Sequence, residues 1–153
     1  MAESAAHVFC KPRVGFTIRN WNVCGKNVLE VDIPVSENKP HYAKDEEGKW
    51  EAYVRVKDQN IRANKVLVHV WKNRKKRVGA WLKIGKEEQR LIDYLTENET
   101  ITISKFIRIA KTNLATAENI LVSLILMDVI RVELTEKSVY YRLNKEQNSL
   151  LQY

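Results

Sequence analysis

A chain of 153 residues with 44% apolar content can bury the core of one medium domain or two small ones. Its longest apolar run, residues 120–127, is interrupted by Ser123 and followed by Asp128, short of the roughly 18 residues a membrane helix needs, and the opening MAESAAHVFCKPRV lacks the basic-then-apolar order of a signal peptide. Cys10 and Cys24 are the only cysteines and have no CxxC spacing or histidine at ligand distance, which excludes a zinc site and points to a reducing, cytoplasmic setting with two free thiols.

The net charge of +7 is unevenly spread. Residues 1–83 hold 17 Lys and Arg against 9 Asp and Glu, a net of +8, and residues 84–153 hold 9 against 10, a net of −1. A basic half beside a neutral half suits a phosphate-bearing or acidic partner; a solvated charged face gives the same count.

In chain order, residues 1–10 read as the end of a helix broken by Pro12. Residues 13–22 alternate, with Val14, Phe16 and Ile18 against Gly15, Thr17, Arg19 and Trp21, which predicts a half-buried strand. Val23-Cys24-Gly25-Lys26 is a turn, and residues 27–35 return as the partner strand of a hairpin. Residues 36–48 are polar, contain Pro40 and form a loop, and residues 50–56 form a third strand. Lys57-Asp58-Gln59-Asn60 is a turn, and a helix runs from Arg62 to about Lys76 with Val66, Leu67, Val70 and Trp71 inward. Two glycines within residues 78–85 mark a domain boundary.

Beyond it lies a helical pattern: residues 86–97, a short β-like step at 100–103, a helix capped by Ser104 through Ala110, a turn at Thr112-Asn113, and a helix over 115–127. Strands at 129–133 and 138–143 close the chain. Three helices followed by a β-hairpin, with the ending LILMDVIRVE…VYYRL, resemble the winged-helix family over residues 86–144.

The first module carries a second resemblance. VLEVDIPV, the loop SENKPHYAKDEEGKW, the strand YVRV and the segment KDQNIRANK are similar to the closing half of the Schlafen-type, AlbA-like DNA-binding domain of bacterial regulators. The resemblance covers residues 1 to about 76 and implies that the chain starts partway through that domain. The acidic residues tied to nuclease activity in the family belong mainly to the other half. The implied layout is α+β: a partial AlbA-like sheet and helix module at 1–78, a linker at 79–85, a winged helix-turn-helix module at 86–146 and a tail at 147–153. Arg55 matches the arginine of the family's Y-[IV]-R strand. Lys57, Arg62 and Lys65 follow it in the turn and helix start, and the resemblance implies that this edge meets ligand or nucleic acid.

Read from the residues alone, the densest positive feature is Lys72, Arg74, Lys75, Lys76 and Arg77. It suits a phosphate backbone, or a solvated helix end favoured by the helix dipole. The helix at 115–127 offers Thr116 and Asn119 to a groove. It has no Lys or Arg, however, and is apolar on much of its surface, so core packing plus a dimer interface competes with recognition. Lys137 stands at the tip of the closing hairpin. No phosphate loop, GxSxG or nucleophile with an adjacent base is found, so no enzyme activity, cofactor or metal is expected. The expected partner is nucleic acid, DNA ahead of RNA, with a homo-oligomer formed through an unpaired sheet edge within residues 13–56. A protein-interaction module, or the remnant of a nucleotide-binding or nuclease domain, is the alternative.

Overall fold

The computed structural model describes residues 6–74 and 84–145. The sequence-predicted contacts at Lys75, Lys76 and Arg77, most of the predicted linker and the predicted tail lie outside the described residues. The class is α+β. Strands β1 (Cys10–Lys11), β2 (Thr17–Val23), β3 (Lys26–Asp32), β4 (Tyr42–Lys44), β5 (Trp50–Val56) and β6 (Gln59–Arg62) precede helices α1 (Lys65–Asn73), α2 (Lys86–Glu97), α3 (Ile103–Ala110) and α4 (Leu114–Leu126), and β7 (Ile130–Leu134) and β8 (Val139–Leu143) follow. Among the described residues no single helix is long and apolar enough to cross a membrane. The chain forms two compact units, residues 1–54 and 55–153.

In the first unit β2 and β3 form an antiparallel hairpin with Val23 opposite Lys26 and Thr17 opposite Asp32. Its two-residue turn needs left-handed backbone at both positions, which Cys24 (φ 50°) and Gly25 (φ 76°) adopt, and Asn22 Oδ1 accepts from the Gly25 amide at 3.1 Å. The predicted hairpin is there, but the predicted half-burial is not: every residue of both strands is exposed. The register sets Ile18, Leu29 and Val31 on one face and Trp21, Val23 and Val28 on the other, and all six are exposed. Elsewhere in the unit β1 pairs antiparallel with β4 and β4 with β5, with Lys11 opposite Tyr42 and Lys44 opposite Trp50. The acidic stretch at 45–47 is a turn, in which Asp45 Oδ1 accepts from the amides of Glu47 (3.0 Å) and Lys49 (2.8 Å).

The predicted turn at 57–60 is shorter than expected. The chain reverses over Lys57 (φ 49°) and Asp58 and returns as β6 beside β5, so Arg62 sits on a strand rather than at a helix start. The helix begins after Asn64, whose Oδ1 accepts from the Leu67 amide at 2.9 Å.

That helix belongs to the second unit. The sequence reading placed it in the first module, yet α1 packs on α4, and Val66 and Val70 join one core with Leu91, Leu95, Phe106, Leu121, Leu124, Ile130 and Tyr141. Helix α4 buries Ala117, Ile120, Leu121, Val122 and Leu124, more than one stripe, because α1, α3 and β7 all pack against it. Its apolar surface thus finds cover within the chain. Helices α3 and α4 meet at 109° across residues 111–113, where Lys111 is left-handed (φ 53°) and Asn113 caps α4 by accepting from the Thr116 amide at 2.9 Å. Helix α3 is capped by Thr102 rather than Ser104. Ile101 and Tyr141 exchange backbone hydrogen bonds of 2.9 and 2.8 Å, tying the segment between α2 and α3 to the closing hairpin.

Candidate nucleic-acid interface

The division after Val54 changes where the positive charge resides. Residues 55–153 hold 19 Lys and Arg against 11 Asp and Glu, a net of +8, and residues 1–54 hold 7 against 8, a net of −1. By sequence the basic excess therefore lies in residues 55–153 rather than in residues 1–54, and α1, with its lysines, packs in the second unit. The nine sequence-predicted contact residues that are described all fall in this unit.

Arg55 is exposed on β5. Its guanidinium is held over the β5–β6 turn, donating to Asn60 Oδ1 at 3.3 Å and lying 3.6 Å from Asp58. Lys57 sits in that turn with its ammonium 3.6 Å from Glu136 at the β7–β8 turn. An exposed pair of this kind adds little stability, but it places two loop tips side by side and brings Lys57 near the exposed Lys137. Thr135 Oγ1 fixes the second tip, donating to the Ser138 carbonyl at 2.9 Å and accepting from the Ser138 amide at 3.0 Å.

Arg62 is exposed on β6. On α1, Lys65, His69 and Lys72 are exposed at i, i+4 and i+7, so they form one stripe opposite the buried Val66, Leu67 and Val70. Arg74 follows, exposed, at the helix end. On α4 the two groove-reading candidates separate: Asn119 is exposed, whereas Thr116 is half-buried. The structure thus brings Lys57 to Glu136, the chain neighbour of Lys137, and sets Lys65 and Lys72 along one helix face. It gives α4 one freely presented polar side chain.

Two further groups of cations emerge, of which sequence reasoning noted only Lys111, just before the last helix. Arg108 and Lys111 are exposed at the end of α3 and in the bend before α4. A lysine just ahead of a helix-capping asparagine is a legible signal for Lys111; Arg108 follows only once the burial of Phe106 and Ala110 fixes the outer face of α3. In the first unit the ammonium groups of Lys11 and Lys44 lie 4.6 and 5.4 Å from the centre of the Trp50 ring. These three residues come from three strands, and no spacing in the sequence announces the cluster.

Among the described residues no three His, Cys, Asp or Glu side chains gather to hold a metal ion. Tyr141 lies in the core of the second unit, its phenol pushed up by burial, pulled down by the hydrogen bond from Asn64, and raised again by the charge of Glu118. The chemistry this surface offers is the attraction of lysine and arginine for phosphate, supplied from turns and one helix face, with an amide on α4 able to meet a base edge. Compared with known proteins, the chain matches no protein-family model, no curated protein and no solved structure.

Proposed function

We propose that the chain is a nucleic-acid-binding protein, a non-catalytic, cytoplasmic transcriptional regulator whose second unit is a winged helix that grips duplex DNA. One observation carries this reading: the chain's positive excess falls in residues 55–153, the unit that holds the helix–turn–helix bend, and is concentrated in residues 55–83 ahead of that bend. A three-residue connection and a 109° crossing are the dimensions of a DNA-binding helix pair, and the β7–β8 hairpin that follows is the wing. Helix α4 lacks cations and is flanked by α1, so phosphate contacts come from Lys57, Lys65, Lys72, Arg74 and Lys137 around it, with Asn119 reading bases. Affinity then exceeds sequence discrimination. Residues 1–76 are read as AlbA-like, and Lys11, Lys44 and Trp50 give the first unit a secondary contact.

The test is a titration of random-sequence duplex DNA and RNA with the full chain over a range of salt. A variant with Lys57, Lys65, Lys72, Arg74 and Lys137 replaced by alanine is titrated in parallel. Binding should fall steeply with salt, and the variant should lose roughly 0.9 of log–log slope for each phosphate contact removed. Absence of binding at low salt, or a variant with the parent's slope, refutes the proposal.

A further inference from the structure

The β2–β3 hairpin leaves Ile18, Leu29 and Val31 on one face at 41–57% exposure, and in the described residues its two outer edges pair with no other strand. Two strands alone are marginally stable in water, and an open edge beside an apolar face is a template for another strand. We propose that this edge binds a second copy of the same chain: β3 pairs antiparallel with β3 of its twin about a two-fold axis through Leu29, giving one four-stranded sheet.

The register within the hairpin selects this arrangement. Val23 and Lys26 flank a two-residue turn, so they form a hydrogen-bonded pair, and alternation leaves the backbone groups of Asn27, Leu29 and Val31 directed away from β2. A two-fold axis at Leu29 sets these groups against each other: Leu29 opposite Leu29, and Asn27 opposite Val31, twice. The side chains of the intervening residues then match in charge. Lys26 of each copy stands opposite Asp32 of the other, and all seven residues of β3 overlap.

Within one chain Lys26 faces Val23, Asp32 faces Thr17, and among the described residues neither makes an ion pair. Glu30, in contrast, is already engaged: Arg19 lies 3.9 Å away and Trp21 Nε1 donates to it at 2.6 Å. Other registers fare worse. An axis at Glu30 sets two carboxylates against each other. An axis at Val28 shortens the overlap and calls on the occupied Glu30. Pairing through β2 about Asn20 sets Arg19 opposite Trp21 and Thr17 opposite Val23, with no charges matched. The chosen pairing is isologous, so it closes at two copies.

Charge exchange tests it. Sedimentation velocity of the full chain from low micromolar to several hundred micromolar should show a reversible dimer. Lys26→Asp and Asp32→Lys should each weaken self-association about tenfold by setting like charges opposite one another. The double variant K26D/D32K, which restores opposite charges, should recover the dimer. Far-UV circular dichroism of all three variants confirms that the exposed substitutions leave the fold intact. A wild-type chain that remains monomeric throughout overturns the proposal and assigns the hairpin face to a different partner. A dimer that both single substitutions leave unchanged, or that the double variant fails to restore, overturns it as well.

Discussion

Tyr141 joins three parts of the second unit through one side chain. Its ring is fully buried, its backbone is bonded to Ile101, and its hydroxyl accepts from Asn64 Nδ2 at 3.1 Å, while Asn64 Oδ1 caps α1. Burial is the main reason its phenol is pushed above the ordinary value of 10.0. Below that value the phenol is neutral in folded and unfolded chains alike. Above it the unfolded chain gives up its proton first, so stability falls as pH rises from 10.0 through the folded value. Tyr141→Phe should therefore cost about 1 kcal/mol at neutral pH, the net worth of one hydrogen bond, and should flatten the decline above pH 10. Asn64→Ala should cost more, roughly 2 kcal/mol, because it removes the helix cap and also leaves a buried hydroxyl without its partner. Urea unfolding between neutral pH and pH 11 checks both. Parent and Tyr141→Phe curves that stay parallel into the alkaline range would dismiss the role given to the phenol.

Helix α4 shows what periodicity can and cannot announce. An apolar surface wider than one stripe predicts burial on two sides, and the helix is so buried. What the pattern does not say is which element supplies the second cover; α1 does, although it lies some fifty residues earlier and beyond the predicted boundary. The strands divide in the same way. Alternation located β2 and β3, but it reports only which residues share a face, not that anything rests on it. Strand β6, QNIR, was missed because Ile61 is its only apolar residue and because its turn places a lysine, not a glycine, in left-handed backbone. Of the candidate site, Lys65 and Lys72 were named from the sequence but their shared helix face was not, and the meeting of Lys57 with Glu136 is a tertiary event between two turns far apart in sequence. The assignment of α1 can be tested by packing. Val70 is 7% exposed in the shared core, so Val70→Ala should destabilise the second unit by roughly 2 kcal/mol, the transfer of two methyl groups plus some cavity cost. Unchanged unfolding of α2, α3 and α4, followed by amide exchange, would detach α1 from that core.

Across the whole molecule, apolar burial and charge are shared out oppositely to what composition by halves suggests. The continuous core lies in the second unit, whereas the buried apolar side chains among the described residues of the first are Ala6, Pro40 and Ala52. A unit with so little apolar burial has a low free energy of opening, and its amides exchange through that opening. Hydrogen exchange of the full chain should thus be graded: amides in the middle of α4 should be the slowest, near the global limit, and those of β2 and β3 among the fastest in dilute solution. Self-association through β3 adds a second dependence. The amides of Asn27, Leu29 and Val31, which the register directs away from β2, should slow as protein concentration rises, while exposed amides of the turn at 45–49 that do not cap it should not. Their protection grows with the occupied fraction, since only the paired form shields them. Uniform exchange across both units would contradict the uneven core. Protection of β3 independent of concentration would show that its edge is already occupied in the monomer.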